Sequence, residues 1–128
     1  MKISILPLKK AAKALRDALK ERKTMLVRDA TVKRFEFTFN LAVQMLQRYF
    51  KEVAPTSQSV EDVTYRDLCR LAAEAGLIDR PQDWFAYREA RNITSHAYDE
   101  SKAEAVYKAA GKFSTEVDRL IGRLDGRL

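Results

Sequence analysis

The chain has 128 residues, 46% hydrophobic and 33% charged, with only 4 Gly and 3 Pro; that suits one globular domain, expected over residues 1–128, and excludes a linker-like or disordered chain. No apolar run approaches the ~18 residues of a membrane-spanning helix, and Met1–Pro7 lacks the apolar core of a signal peptide, so a cytoplasmic location without membrane contact is expected. Its one Cys, Cys69, and one His, His96, exclude an internal disulfide and a multi-cysteine zinc site; no metal and no cofactor is expected.

The net charge of +6 is uneven: residues 1–34 carry 11 Lys and Arg against 3 acids, and residues 35–128 carry 13 against 15. A basic stripe attracts phosphate backbones, yet a lysine-rich solvated helix face has the same composition. Charge alone decides nothing.

Apolar spacing is helical almost throughout. Leu8, Ala11, Leu15 and Ala18 form a stripe, with Lys9, Lys10, Lys13 and Lys20 on other faces, which predicts a first helix near residues 8–22. The alternation Phe35-Glu36-Phe37-Thr38-Phe39 resembles a strand, but Val32, Phe35, Phe39, Ala42, Leu46, Tyr49 and Val53 step by three and four, which only a helix satisfies. Phe37, Leu41 and Met45 add a second apolar strip, so this long helix is expected to be buried on two sides. A polar break containing Pro55 follows at residues 54–59.

Thr64 and Asp67 then stand at capping-box spacing before Leu68, Leu71 and Ala75, with Gly76 placed for a C-terminal cap. Asp79-Arg80-Pro81 opens a fourth helix, expected to run to about His96. Ser101 and Glu104 form a second capping box for a last helix carrying Ala103, Val106, Ala110, Phe113, Val117, Leu120 and Leu124. No strand pattern survives. The expected fold is all-α, an antiparallel up-down bundle of four to five helices.

One segment fits neither core nor ordinary solvated face. Arg91-Asn92-Ile93-Thr94-Ser95-His96-Ala97-Tyr98-Asp99-Glu100 gathers the single His with an Arg, an Asn, two hydroxyls and a Tyr. Arg supplies fixed charge and a fork of donors for phosphate oxygens; His titrates near neutrality and can take a proton from a hydroxyl. The pair could cleave RNA through its own 2′-hydroxyl without a metal. On an ideal helix, however, Arg91 and His96 lie about 140° apart, so they converge only if the helix end deforms or a second subunit supplies a matching pair. The plainer alternative is a polar helix C-terminus, with His96 set against the dipole and the other groups acting as caps.

Arg91-Asn92-Ile93-Thr94-Ser95-His96-Ala97-Tyr98 also resembles the Arg-x4-His-x-Tyr motif of the HepT-like branch of the HEPN superfamily. With Arg34 to Ala42, Gly76-Leu77-Ile78, Trp84 and Asp99-Glu100, it is similar to the nucleotidyltransferase substrate-binding protein family, from about residue 8 to residue 124. The family's usual bulky residue after Leu41-Ala42 is Val43 here, read as a change in core packing. The resemblance implies a helical homodimer whose partner is a minimal nucleotidyltransferase, either as antitoxin or as catalytic subunit. On the toxin–antitoxin view the helical chain is a metal-independent endoribonuclease: Arg91 would stabilise the phosphate, His96 act as general base and Asn92 orient either. The nucleotidyltransferase would silence it by AMPylation of Tyr98. On the alternative view the chain is a non-catalytic substrate-binding subunit. There is no glycine-rich phosphate loop, and no Gly-Ser followed by paired Asp, so the chain is not itself the nucleotidyltransferase.

Other residues have bland readings. Trp84, Phe85 and Tyr87 could stack bases but are read as core and interface, and Cys69 as a small buried hydrophobe. Glu36 is read as an exposed acid rather than an anchor for the Arg91 region. Arg88 is a candidate second phosphate contact.

Overall fold

A computed structural model describes residues 3–52 and 63–128, and every regular element in them is helical. Helix α1 spans Leu6–Lys20, α2 Met25–Glu52, α3 Tyr65–Glu74, α4 Pro81–Asn92 and α5 Glu100–Asp125; a short 3-10 turn, Thr94–His96, separates the last two. The end of the α2 stripe at Val53 and the Pro55 break lie outside the described residues.

The ion pairs give the relative directions of the helices. Lys9–Asp125 and Arg16–Asp118 link α1 to α5 in opposite order, and Lys23, just past the end of α1, continues the series to Glu104, so these helices are antiparallel. The short connection at residues 21–24 returns the chain along α1 as α2, where Arg34 donates to the Ala14 carbonyl at 2.8 Å. Helix α4 lies against both α2 and α5, and α3 packs mainly on α4. The bundle is the expected antiparallel one.

Its centre is aromatic. Phe113 of α5 is fully buried, with Phe35 and Tyr87 each 5.2 Å away between ring centroids and Trp84 at 5.5 Å. The Trp84, Phe113 and Tyr87 pairs meet edge-on, the geometry that the ring quadrupole favours. Trp84 and Tyr87 are therefore core, as read; Phe85 is partly buried beneath Arg66. Cys69 is buried, and burial pushes its thiol up, which keeps it unreactive.

The termini follow local chemistry. Thr24 accepts from the Val27 amide and so starts α2 earlier than its apolar stripe suggests. Thr64 caps α3 through the Asp67 amide, as its spacing predicts. At the other end of α3, Leu77 N–H donates to the Ala72 carbonyl and Gly76 N–H to Ala73, a Schellman closure. It requires positive φ, and Gly76 has φ 76°.

Three expectations are corrected. Phe37 is 52% exposed, so the second strip of α2 is buried at Met45 but open at its N-terminal end. Helix α4 stops at Asn92 rather than near His96. The Thr94 hydroxyl donates to the Arg91 carbonyl at 2.8 Å and the Ile93 amide turns back to Ala90, which tightens the chain into the 3-10 turn. The cap of α5 is Asp99, not Ser101: its carboxylate accepts from the Lys102 amide and the Ser101 hydroxyl, leaving Ser101 inside the first turn.

Candidate functional site

Arg91 projects from the last turn of α4. Its Nη1 donates to Asn40 Oδ1 on α2 at 3.2 Å, its Nε to Asn92 Oδ1 at 3.2 Å, and its guanidinium lies over the Phe39 ring, 5.8 Å from the centroid. Both acceptors are neutral amides. Among the described residues no carboxylate pairs with Arg91 or with Arg88 one turn earlier; Arg16, Arg28, Arg70, Arg80, Arg119 and Arg123 are paired, and Arg22, Arg34, Arg48, Arg66 and Arg127 are not. The two charges stay uncompensated, held at the surface by an aromatic ring and by amides.

The 3-10 turn carries the rest. His96 is exposed, and the Tyr98 ring stands edge-on to it with centroids 6.0 Å apart. Tyr98 is 84% exposed, the most open large hydrophobic side chain of the described residues. No hydrogen bond joins Arg91 to His96 within the chain. Of the four residues singled out from the sequence, the structure joins Arg91 to Asn92 and His96 to Tyr98. The deformed end of α4 sets these pairs side by side without linking them.

Two carboxylate contacts fix that turn. The Thr94 hydroxyl lies 3.2 Å from Glu36 Oε2 on α2, so Glu36 is the polar anchor of this region and not an ordinary exposed acid. Glu36 also pairs with Lys33 at 3.0 Å. On the far side of the turn, Glu100 pairs at 2.7 Å with Arg28, whose side chain is almost wholly buried and which also reaches Glu104 and Asp29. Glu104 additionally takes Lys23, and these cations hold its carboxyl below the usual carboxylate range. The acids that follow Tyr98 are thus engaged: Asp99 caps α5, and Glu100 neutralises a buried guanidinium.

Between α2, α3 and α4 lies an open cavity of about 350 Å³. Phe39 and Tyr65 form its aromatic side, Asn40 and Gln44 its amide side, and Arg88 and Arg91 stand over it. Val43 lines it too, so the position read as core packing faces a cavity. Tyr65 is fixed by donating to the Trp84 carbonyl at 2.8 Å, and burial pushes its phenol up. Sequence reading missed Asn40, Gln44 and Tyr65. The available signal was Glu36, Asn40 and Gln44 recurring every four residues, a polar stripe on a helix otherwise apolar on two sides.

Comparison with known proteins agrees with the helical fold. Residues 4–126 match the family described as nucleotidyltransferase substrate binding protein like. A Haemophilus influenzae protein named probable ribonuclease HepT is 36% identical over 96 residues, which is 75% of this chain and 66%, just under two thirds, of that relative. A solved H. influenzae structure, described as the fold of a substrate binding domain of a nucleotidyltransferase, superposes with a TM-score of 0.85 at 28% identity, covering 95% of this chain and 99% of that one. A Thermus thermophilus structure matches with a TM-score of 0.80 at 27% identity, over 91% and 98% of the two chains. With the family model covering nearly the whole chain, this protein belongs to the nucleotidyltransferase substrate-binding-protein-like family.

Proposed function

We propose that this chain is the HEPN-type partner of a minimal nucleotidyltransferase and acts as a homodimeric, metal-independent endoribonuclease that AMPylation of Tyr98 silences. The observation that carries the reading is the uncompensated Arg91 guanidinium, held by Asn40 and Asn92 beside a turn that exposes His96 and Tyr98. The similarity to a protein named probable ribonuclease supports it.

The chemistry is a transesterification. His96 takes the proton of a ribose 2′-hydroxyl, the 2′-oxygen attacks the adjacent phosphorus, and the bond from phosphorus to the 5′-oxygen breaks. The leaving oxygen takes a proton from the imidazolium or from water, giving a 2′,3′-cyclic phosphate and a 5′-hydroxyl. Arg91 stabilises the charge that gathers on the phosphoryl oxygens, with Asn92 orienting its guanidinium. Because no hydrogen bond joins Arg91 to His96 in one chain, the reading assigns cleavage to a homodimer whose copies bring these groups together. Silencing transfers the nucleotidyl group of ATP to Tyr98: the phenolic oxygen attacks the α-phosphorus and pyrophosphate leaves. The added nucleotide puts bulk and negative charge next to His96, which excludes RNA.

The same separation of Arg91 from His96 favours the second reading, a non-catalytic subunit that holds substrate for the nucleotidyltransferase. RNA cleavage by the purified protein in EDTA decides between them, with His96→Ala in parallel and intact mass recorded to reveal a modified Tyr98. Cleavage by the wild type alone supports the nuclease. No cleavage by unmodified, folded wild type leaves the binding subunit.

A further inference from the structure

We propose that the cavity between α2, α3 and α4 is a subsite for one nucleotide, with Arg91 and Arg88 taking its phosphate and Gln44 and Asn40 reading its base, adenine being the best fit. This deepens the reading above, since it names what binds beside Arg91.

Size and charge come first. At about 350 Å³ the cavity sits at the small end of ligand pockets, right for one nucleotide and too small for a folded segment. Two guanidiniums without carboxylate partners border it; Arg22, Arg34, Arg48, Arg66 and Arg127 also have none among the described residues, but they do not line the cavity. Each of the two at the cavity is held by an aromatic face: Arg88 lies 4.9 Å from the Tyr65 centroid and Arg91 5.8 Å from that of Phe39. Two fixed cations one helical turn apart, with planar forks of donors, suit a phosphate group.

The wall next to Arg91 is the unusual part. Asn40 and Gln44 are one turn apart on α2, and each lines the cavity with a carboxamide. Asn40 Oδ1 accepts from Arg91, which leaves its NH2 as a donor. The Gln44 side chain makes no hydrogen bond among the described residues, so both its oxygen and its NH2 are open. A carboxamide offers one donor and one acceptor side by side, the complement of adenine N7 and its amino group. Unpaired bases are characteristically bound in this way, stacked on an aromatic ring or an arginine plane and read along an edge by amides. Phe39 is buried beneath Arg91, so the half-buried Tyr65 ring is the aromatic part of the lining left for a base to meet.

The test is calorimetric titration of the purified, unmodified protein with AMP, CMP and inorganic phosphate, with RNA cleavage scored separately. AMP should bind more tightly than CMP, and both more tightly than phosphate. Gln44→Leu should weaken AMP about tenfold and leave phosphate unchanged, while Arg88→Ala should weaken all three. Val43→Trp should fill the cavity and abolish AMP binding with the helical circular dichroism intact. AMP binding no tighter than phosphate, or unaffected by both Gln44→Leu and Val43→Trp, overturns the subsite. AMP binding that responds to these variants in a protein that cuts no RNA keeps the subsite and removes the nuclease. RNA cleavage with AMP binding indifferent to them does the reverse.

Discussion

Thr94 Oγ1 lies 3.2 Å from Glu36 Oε2, and this contact ties the turn carrying His96 to the middle of α2. The hydroxyl's single proton is shared between this carboxylate and the Arg91 carbonyl at 2.8 Å, so one side chain both ends α4 and anchors the 3-10 turn. On the proposed function, Glu36 is therefore a positioning residue for His96. Glu36→Ala should speed amide exchange at His96 and Ala97 while leaving the core helices protected, and should lower the RNA cleavage rate between about tenfold and a hundredfold, the scale on which misplaced groups act. Glu36→Gln keeps an acceptor and should recover most of that loss. Equal losses in the two variants would show that the carboxylate acts through its charge and not by holding Thr94.

A second prediction concerns pH. Glu104 accepts from Lys23 and Arg28, and these bonds hold its carboxyl below the ordinary 4.5. A carboxyl with a lowered folded-state pKa adds stability that is fully present above its unfolded value and is lost as pH falls through the folded one. The melting temperature should accordingly decline below about pH 4.5 as this group takes up its proton. Glu104→Gln should melt lower than wild type at pH 7 and lose less on acidification. Parallel melting curves for the two proteins from pH 7 to pH 3 would show that Glu104 contributes nothing to acid sensitivity.

The core allows a contrast between two neighbours. Phe113→Ala removes the ring that Phe35, Tyr87 and Trp84 surround, and a buried aromatic truncation of this kind costs about 3–5 kcal/mol. Tyr87 is buried as well, yet its hydroxyl has no hydrogen-bond partner among the described residues. Tyr87→Phe removes a desolvated polar group and nothing that bonds to it. It should leave the unfolding free energy within about 0.5 kcal/mol of wild type or raise it. Urea denaturation of the two variants reads both effects. A large loss in Tyr87→Phe would mean that the hydroxyl meets a partner in the assembled protein.

The helices were legible because apolar residues at three- and four-residue spacing have to face a common core. Thr64, Gly76 and Pro81 marked ends where a side chain or a backbone angle settles the matter locally. Ser101 and Asp99 show where this stops. Both are good caps, and which one is used depends on where the 3-10 turn releases the chain; that is set by Thr94 reaching Glu36, fifty-eight positions away. Phe37 failed for a related reason: periodicity gives the face a side chain occupies, not whether another helix covers it. The Arg91 to Tyr98 motif was visible, but its partners on α2 were hidden inside an aromatic block. The four-residue recurrence of Glu36, Asn40 and Gln44 becomes informative once α4 is known to pack there.

Tyr98 gives the last prediction. Its ring is 84% exposed and touches the rest of the chain chiefly through His96, so Tyr98→Phe should fold and melt like wild type, within about 0.5 kcal/mol. The substitution removes the phenolic oxygen, the only group of this side chain able to attack an α-phosphorus. Incubated with the partner nucleotidyltransferase and ATP, wild type should gain the mass of a nucleotidyl group and lose RNA cleavage. Tyr98→Phe should gain no mass and go on cutting. Should Tyr98→Phe gain the same mass, the acceptor lies elsewhere. Should it be silenced without any gain in mass, inhibition comes from the partner covering His96, and the exposure of Tyr98 would then mark a docking surface and not a modified residue.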